Sequence, residues 1–178
     1  MIHRSPMLRP LRQGEAEAMR RIETAARGRY GSLAGFEGVV AAPAIAAERF
    51  LVGETLVAEA GGSAVGYVLM QPLDGLLYVA NIAVLPEASG LGLGAALIEA
   101  ARGRSRALRL GGLMLTTFRT PPWNGPWFRR LGFSPMPPER IGPGLAAILD
   151  RHASFLDMSR RETLWSPARP GQGAGSAR

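Results

Sequence analysis

Three glycines at every second position, Gly90, Gly92 and Gly94, stand between an apolar run ending at Val84 and an alanine- and leucine-rich run beginning near Leu93. Glycine lets the backbone turn sharply and leaves main-chain N–H groups bare, which suits an anion that a side chain would keep away. Ala95, Ala96, Leu97, Ile98, Ala100 and Ala101 follow as good helix formers, and the first-turn N–H groups of a helix have no partner within it. The chemistry open to this spacing is phosphate binding. A dinucleotide fingerprint places its third glycine one residue later and an acidic residue about twenty residues on. A Walker loop requires a lysine after its last glycine, and the chain contains no lysine.

A second stretch, Thr116 to Phe133, carries Asn124 and Phe128 ahead of Gly132-Phe133. Together the two stretches resemble the motifs of the GNAT superfamily of N-acetyltransferases. Val84-x-Pro86, then Ser89-x-x-Gly92-x-Gly94-Ala95-Ala96-Leu97, is similar to its acetyl-CoA motif, and Asn124-x-x-x-Phe128-x-x-x-Gly132-Phe133 is similar to its later motif. The resemblance covers roughly Leu8 to Trp165, with the N-terminal third matched in pattern only. It implies acetyl-CoA as co-substrate, no metal, and a primary amine on a small molecule or a protein as acceptor. The pyrophosphate would lie on the main chain of Ser89, Gly90, Leu91, Gly92, Leu93 and Gly94. Pantetheine would enter between two splayed parallel strands and pair with the backbone of Ile82, Ala83 and Val84. Asn124 would hydrogen-bond that arm and Phe128 would pack against it, while Tyr30 and Phe36 would wall the acceptor site. For Asn124 a helix cap is an equal reading, since Pro-Trp-Asn precedes a helix; Tyr30 and Phe36 read equally well as core.

Three positions depart from that family's pattern. Ser89 stands where Gln or Arg is usual, Asn81 where a glutamate base often sits, and Phe128 where a tyrosine acid often sits. Asn81 takes no proton but can position a water or the acceptor. Glu59, Tyr67, Tyr78 and His152 are the other groups able to move a proton. Without cysteine there is no Cys acyl-enzyme, so direct transfer is the simplest route. The alternative is a non-catalytic CoA-binding or regulatory domain.

The elements that must position these residues follow from periodicity and punctuation. Met7–Leu11 reads as a strand and 13–27 as a helix with Ala16, Met19, Ile22 and Ala26 on one face. Residues 28–37 read as a loop, and 41–50 as a short helix started by Pro43. Strands at 55–60, 64–70 and 76–84 are separated by Gly61-Gly62-Ser63 and Pro72–Gly75, giving an antiparallel meander. After the helix from Leu91 to Arg106, a strand at 113–118 should run parallel to the one before the glycines. A helix at 123–131 opened by Pro122, a short strand after Phe133, a helix at 144–155 and a last strand at 161–165 complete the order. The class is mixed α/β (α+β): a mostly antiparallel sheet with one splayed parallel pair and flanking helices, as in the GNAT fold.

At 178 residues with 47% hydrophobic content, the chain reads as one domain over 1–165 with a Gly/Pro/Ser-rich disordered tail over 166–178. No apolar run approaches the ~18 residues of a membrane span, so no membrane role and a cytoplasmic location are expected, as a monomer or homodimer. The net charge of +7 is carried entirely by arginine. The stretch 101–140 alone holds eight of the 21 and one carboxylate, which reads as a basic surface or as a landing site for polyphosphate through Arg102 and Arg129. No recognition-helix pattern accompanies it, so no nucleic-acid partner is expected.

Overall fold

Apolar runs, largely buried along β3 and β4 and closed by glycine-containing turns, build the central strands of the computed structural model, which describes residues 7–168. In chain order these are β1 (Met7–Pro10), β2 (Glu54–Ala60), β3 (Ser63–Leu73), β4 (Leu76–Val84), β5 (Gly112–Phe118), β6 (Ser134–Pro135) and β7 (Arg161–Pro167). The helices are α1 (Ala16–Arg27), α2 (Glu37–Ala41), α3 (Arg49–Val52), α4 (Leu93–Ala107), α5 (Gly125–Arg130) and α6 (Pro143–Ala153). The strands order as β1-β2-β3-β4-β5-β7-β6. β1 with β2, β2 with β3, β5 with β7 and β6 with β7 are antiparallel, whereas β4 and β5 are parallel at Leu77↔Leu113 and Tyr78↔Met114. This is the mixed α/β class expected from the sequence: a seven-stranded sheet, mostly antiparallel, with one parallel pair and flanking helices.

Two compact units can be distinguished in the chain. The first runs up to Gln71 and includes Val79–Ala101; the second comprises Pro72–Tyr78 and the chain from Arg102 onward. In the first unit α1 turns Met19 and Ile22 into a core with Phe50, Val57, Tyr67, Leu69 and Ala83, and Phe50 meets Tyr67 edge-on at 5.1 Å between centroids. In the second, β5 pairs with β7 along its whole length, from Gly112↔Pro167 to Phe118↔Arg161, and buries Leu113, Met114, Leu115 and Leu164.

Four expectations need correction. The helix placed over 41–50 is instead two short ones, α2 and α3, with 42–48 non-helical between them. Pro43 is the cause: it forces Ala42 out of the helical region (φ −59, ψ 145) and so ends α2 rather than starting a helix. Pro72 lies inside β3, and the turn is Asp74-Gly75, both at positive φ (49 and 77). The helix expected over 123–131 begins at Gly125, with Pro126 in its first turn. Finally, Ser166 and Pro167 belong to β7 rather than to a tail; 169–178 lie outside the described residues.

Candidate active site

In the first unit, β4 ends at Val84, and Leu85 N–H donates to Val65 O at 2.8 Å. A 3-10 turn over Pro86–Ala88 follows, so that Ser89 N–H reaches Pro86 O at 3.1 Å. Gly90 and Gly92 then take φ of +82 and +76, and no heavy atom lies within 4 Å of where their Cβ atoms would stand. Buried Ala88 and Leu93 hold the two ends of this loop, and Leu91 between them is 61% exposed. The first main-chain bond of α4 runs from Ala96 N–H to Gly92 O at 3.0 Å. The N–H groups of Leu93, Gly94 and Ala95 therefore have no acceptor within the helix. The spacing of glycines thus forms an open, left-handed turn leading into a helix N-terminus, a shape that accepts an anion.

Ser89 has a neighbour that sequence reasoning missed. Its hydroxyl donates to Leu85 O at 3.3 Å and accepts from Arg29 Nη2 at 3.1 Å, across 60 positions of chain. Arg29 lies on a 3-10 turn, Gly28–Ser32, that continues α1. Beside it, Tyr30 is buried and stacks on buried Phe36, with ring centroids 5.4 Å apart. No spacing rule links positions 29 and 89.

Farther along β4, Ile82 and Val84 are half-buried and Ala83 is buried. Asn81 Oδ1 accepts from Tyr67 Oη at 3.1 Å, which leaves its amide N–H groups as what it offers another polar atom. Tyr67 is fully buried, and burial, with the nearby Glu23 carboxylate adding to it, pushes its hydroxyl far above the ordinary tyrosine value. Glu23 is a second residue the sequence reading passed over. It occupies the buried stripe of α1 with Met19 and Ile22 and pairs with Arg27 Nε at 2.8 Å. Burial raises its carboxyl above the usual range against the pull of Arg27. An acidic residue at the helical interval 19, 22, 23, 26 is the signal that marks it. Glu59 is committed elsewhere, to Arg9 Nε at 2.6 Å.

In the second unit, Asn124 stands at the backbone N-cap of α5 without capping it; its Nδ2 donates instead to Thr117 Oγ1 at 3.1 Å. Thr117 is buried, so the amide is fixed by the strand below it. Phe128 is 5% exposed and lies edge-on to Trp127 and Phe133, at 4.8 and 5.5 Å. Tyr78 Oη lies 3.5 Å from Thr116 Oγ1, and His152 on α6 meets Phe155 edge-on at 5.9 Å. The two arginines expected at phosphate have structural partners: Arg102 donates to Ser166 Oγ and Leu131 O and covers the Phe133 ring, and Arg129 pairs with buried Glu162. Among the described residues no three His, Cys, Asp or Glu side chains gather as a metal site, and no helix is long and apolar enough to cross a membrane.

Residues 52–135, which take in β2 to β6, the glycine turn and the whole of the second motif, match the family model described as acetyltransferase (GNAT) domain. Solved structures agree in fold. The ribosomal-protein-S18-alanine N-acetyltransferase from Escherichia coli superposes with a TM-score of 0.66 at 14% identity, over 97% of this chain and 100% of that one. The PaiA N-acetyltransferase from Thermoplasma acidophilum, solved with coenzyme A, gives 0.66 at 12% identity over 92% and 99%. A GNAT family acetyltransferase from Brucella melitensis, solved with acetyl-CoA, gives 0.54 at 25% identity over 74% and 84%.

Proposed function

We propose that this chain, whose residues 52–135 match the acetyltransferase (GNAT) domain model, transfers an acetyl group from acetyl-CoA directly to a primary amine, on a small molecule or a protein. The observation that carries the reading is the open turn at Gly90 and Gly92 running into α4. The pyrophosphate lies on the main chain of Ser89–Gly94, and the pantetheine arm pairs with the backbone of Ile82, Ala83 and Val84. Asn124, held by Thr117, contacts that arm. The Brucella relative was solved with acetyl-CoA and the Escherichia relative is a ribosomal-protein-S18-alanine N-acetyltransferase, which supports the co-substrate and a protein as one kind of acceptor. A cytoplasmic site of action goes with that co-substrate.

The neutral amine nitrogen attacks the thioester carbon, a tetrahedral oxyanion forms, the C–S bond breaks, and the amine proton ends on the CoA sulfur, giving amide and thiol. Asn81 contributes as a donor: with Oδ1 engaged by Tyr67, its amide orients a water or the acceptor. Phe128 has no proton to give, so the thiolate takes its proton from solvent or from the acceptor. That same residue favours one alternative, a CoA-binding domain without turnover. Thiol release from acetyl-CoA across an amine panel decides between them: release that depends on an amine supports transfer, and CoA binding with no release under any amine leaves the binding domain.

A further inference from the structure

The turn that would hold CoA lacks a cation of its own. From Val84 to Ala100 the only charged residues are Glu87 and Glu99, and the unit that contains them has eight arginines against nine carboxylates, while the other has thirteen against five. Main-chain N–H groups alone face a ligand with several negative charges, beside the exposed Glu87. Arg102 and Arg129 are engaged by Ser166, Leu131 and Glu162 within their own unit. Among the described residues of the first unit, Arg29 brings its guanidinium to the turn, 3.1 Å from the hydroxyl of Ser89, the residue before Gly90.

We propose that Arg29 is the phosphate-binding cation of this turn: on binding of CoA its guanidinium exchanges the neutral Ser89 hydroxyl for oxygens of the pyrophosphate. The inference rests on the CoA reading above and adds to it a residue from outside both motifs. Three features support it. A guanidinium presents paired N–H donors that match a phosphate in a bidentate fashion. A charged phosphate oxygen is a stronger acceptor than a serine hydroxyl. The base of Arg29 is fixed, because the adjoining Tyr30 is buried against Phe36 and Ser32 Oγ holds Arg29 O at 3.2 Å. Only the end of the side chain has to move. Ser89 in place of a longer polar residue then has a reason: it leaves room for a guanidinium arriving from another element.

The test is calorimetric titration of the full chain with CoA, dephospho-CoA and acetyl-pantetheine. Arg29→Gln keeps N–H donors for Ser89 and removes the charge, so it should weaken CoA and dephospho-CoA alike, by about tenfold, and leave acetyl-pantetheine, which has no phosphate, unchanged. Ser89→Arg in that background should recover most of the loss. Wild-type protein that binds CoA with Arg29→Gln binding equally well would overturn the inference and leave the acetyltransferase reading standing. An effect seen with CoA but absent with dephospho-CoA would overturn the pyrophosphate assignment. Wild-type protein that binds no CoA would remove both. Thermal melts of each variant without ligand show whether folding has changed, and Arg29→Lys, which restores the charge, should keep at least part of the affinity.

Discussion

At Gly92 the torsion and the ligand make separate demands, and one substitution separates them. A β-branched residue at φ +76 is strained by about 1–2 kcal/mol, yet no neighbour within 4 Å would be struck. Gly92→Val should therefore fold with a slightly lowered Tm and lose CoA affinity at least tenfold, because the left-handed turn would be given up; unchanged calorimetric affinity would remove the phosphate assignment. Phe128 and Asn124 behave in the opposite sense to one another. Packed between Trp127 and Phe133, Phe128 should on change to Leu cost about 1–2 kcal/mol of stability with kcat little altered. Asn124→Ala should raise the KM for acetyl-CoA and, by removing the bond to buried Thr117, lower Tm modestly; a large fall in kcat for Phe128→Leu and none in acetyl-CoA use for Asn124→Ala would mean that the second motif is misplaced. The position of Asn124 is legible in the sequence, from its spacing to Phe128 and Gly132. The direction of its side chain is not, because a residue at a helix N-cap is expected to cap and here Thr117 competes successfully for the amide. Arg29 is illegible for a different reason: its contact with Ser89 depends on how far α1 carries the chain before the 3-10 turn, and no local pattern records that.

Among the elements, the strands are legible because apolar runs end at glycine-containing turns, while Pro72, expected in a turn, lies inside β3 and 41–50 is misread because a proline that ends one helix looks like one that begins another. The Asp74-Gly75 turn does more than reverse the chain. Asp74 accepts from Gly144 N–H and Leu145 N–H at 3.1 and 2.7 Å, so it caps α6, whose own N-cap, Gly142, has no side chain to do so. Asp74→Ala should then cost about 1–2 kcal/mol in chemical denaturation; a loss below a few tenths would show that the cap is idle. Around α1, two carboxylates give opposite pH responses. Glu15, hydrogen-bonded by Arg9 at 2.7 and 2.8 Å, is held below its ordinary 4.5. The folded state thus binds fewer protons there than the unfolded chain, so this contribution is full above 4.5 and is lost as pH falls through the depressed value. Glu23, raised by burial, contributes fully below 4.5, and its contribution is lost as pH rises through the elevated value. Denaturant melts from about pH 3 to 7 should show a shallower acid limb in Glu15→Gln and a smaller decline with rising pH in Glu23→Gln; identical profiles for wild type and both variants would contradict the two assignments.

At the scale of the whole chain, composition narrows how the acetyl group travels. The sequence has 21 arginines, no lysine and no cysteine. Arginine stays protonated at any working pH, so its guanidinium is not a nucleophile, and the internal side chains able to accept an acetyl group reduce mainly to hydroxyls and the two histidines. Of the residues considered for the chemistry, Tyr67 is buried with its hydroxyl held protonated, and His152 sits on α6 against Phe155. An acetyl-enzyme would need one of these poor nucleophiles activated by an adjacent base, and Glu59, the nearest thing to a strand base, is bound by Arg9. Direct transfer within a complex of both substrates is therefore the expected course. Initial rates measured over a grid of acetyl-CoA and acceptor concentrations should give intersecting double-reciprocal lines, and acid-quenched protein incubated with acetyl-CoA alone should carry no acetyl group on any internal peptide by mass spectrometry. Parallel lines together with an acetylated internal serine, threonine, tyrosine or histidine would establish a covalent intermediate, and the role given to Asn81, orienting a water or the acceptor for direct attack, would then have to be replaced by activation of that nucleophile.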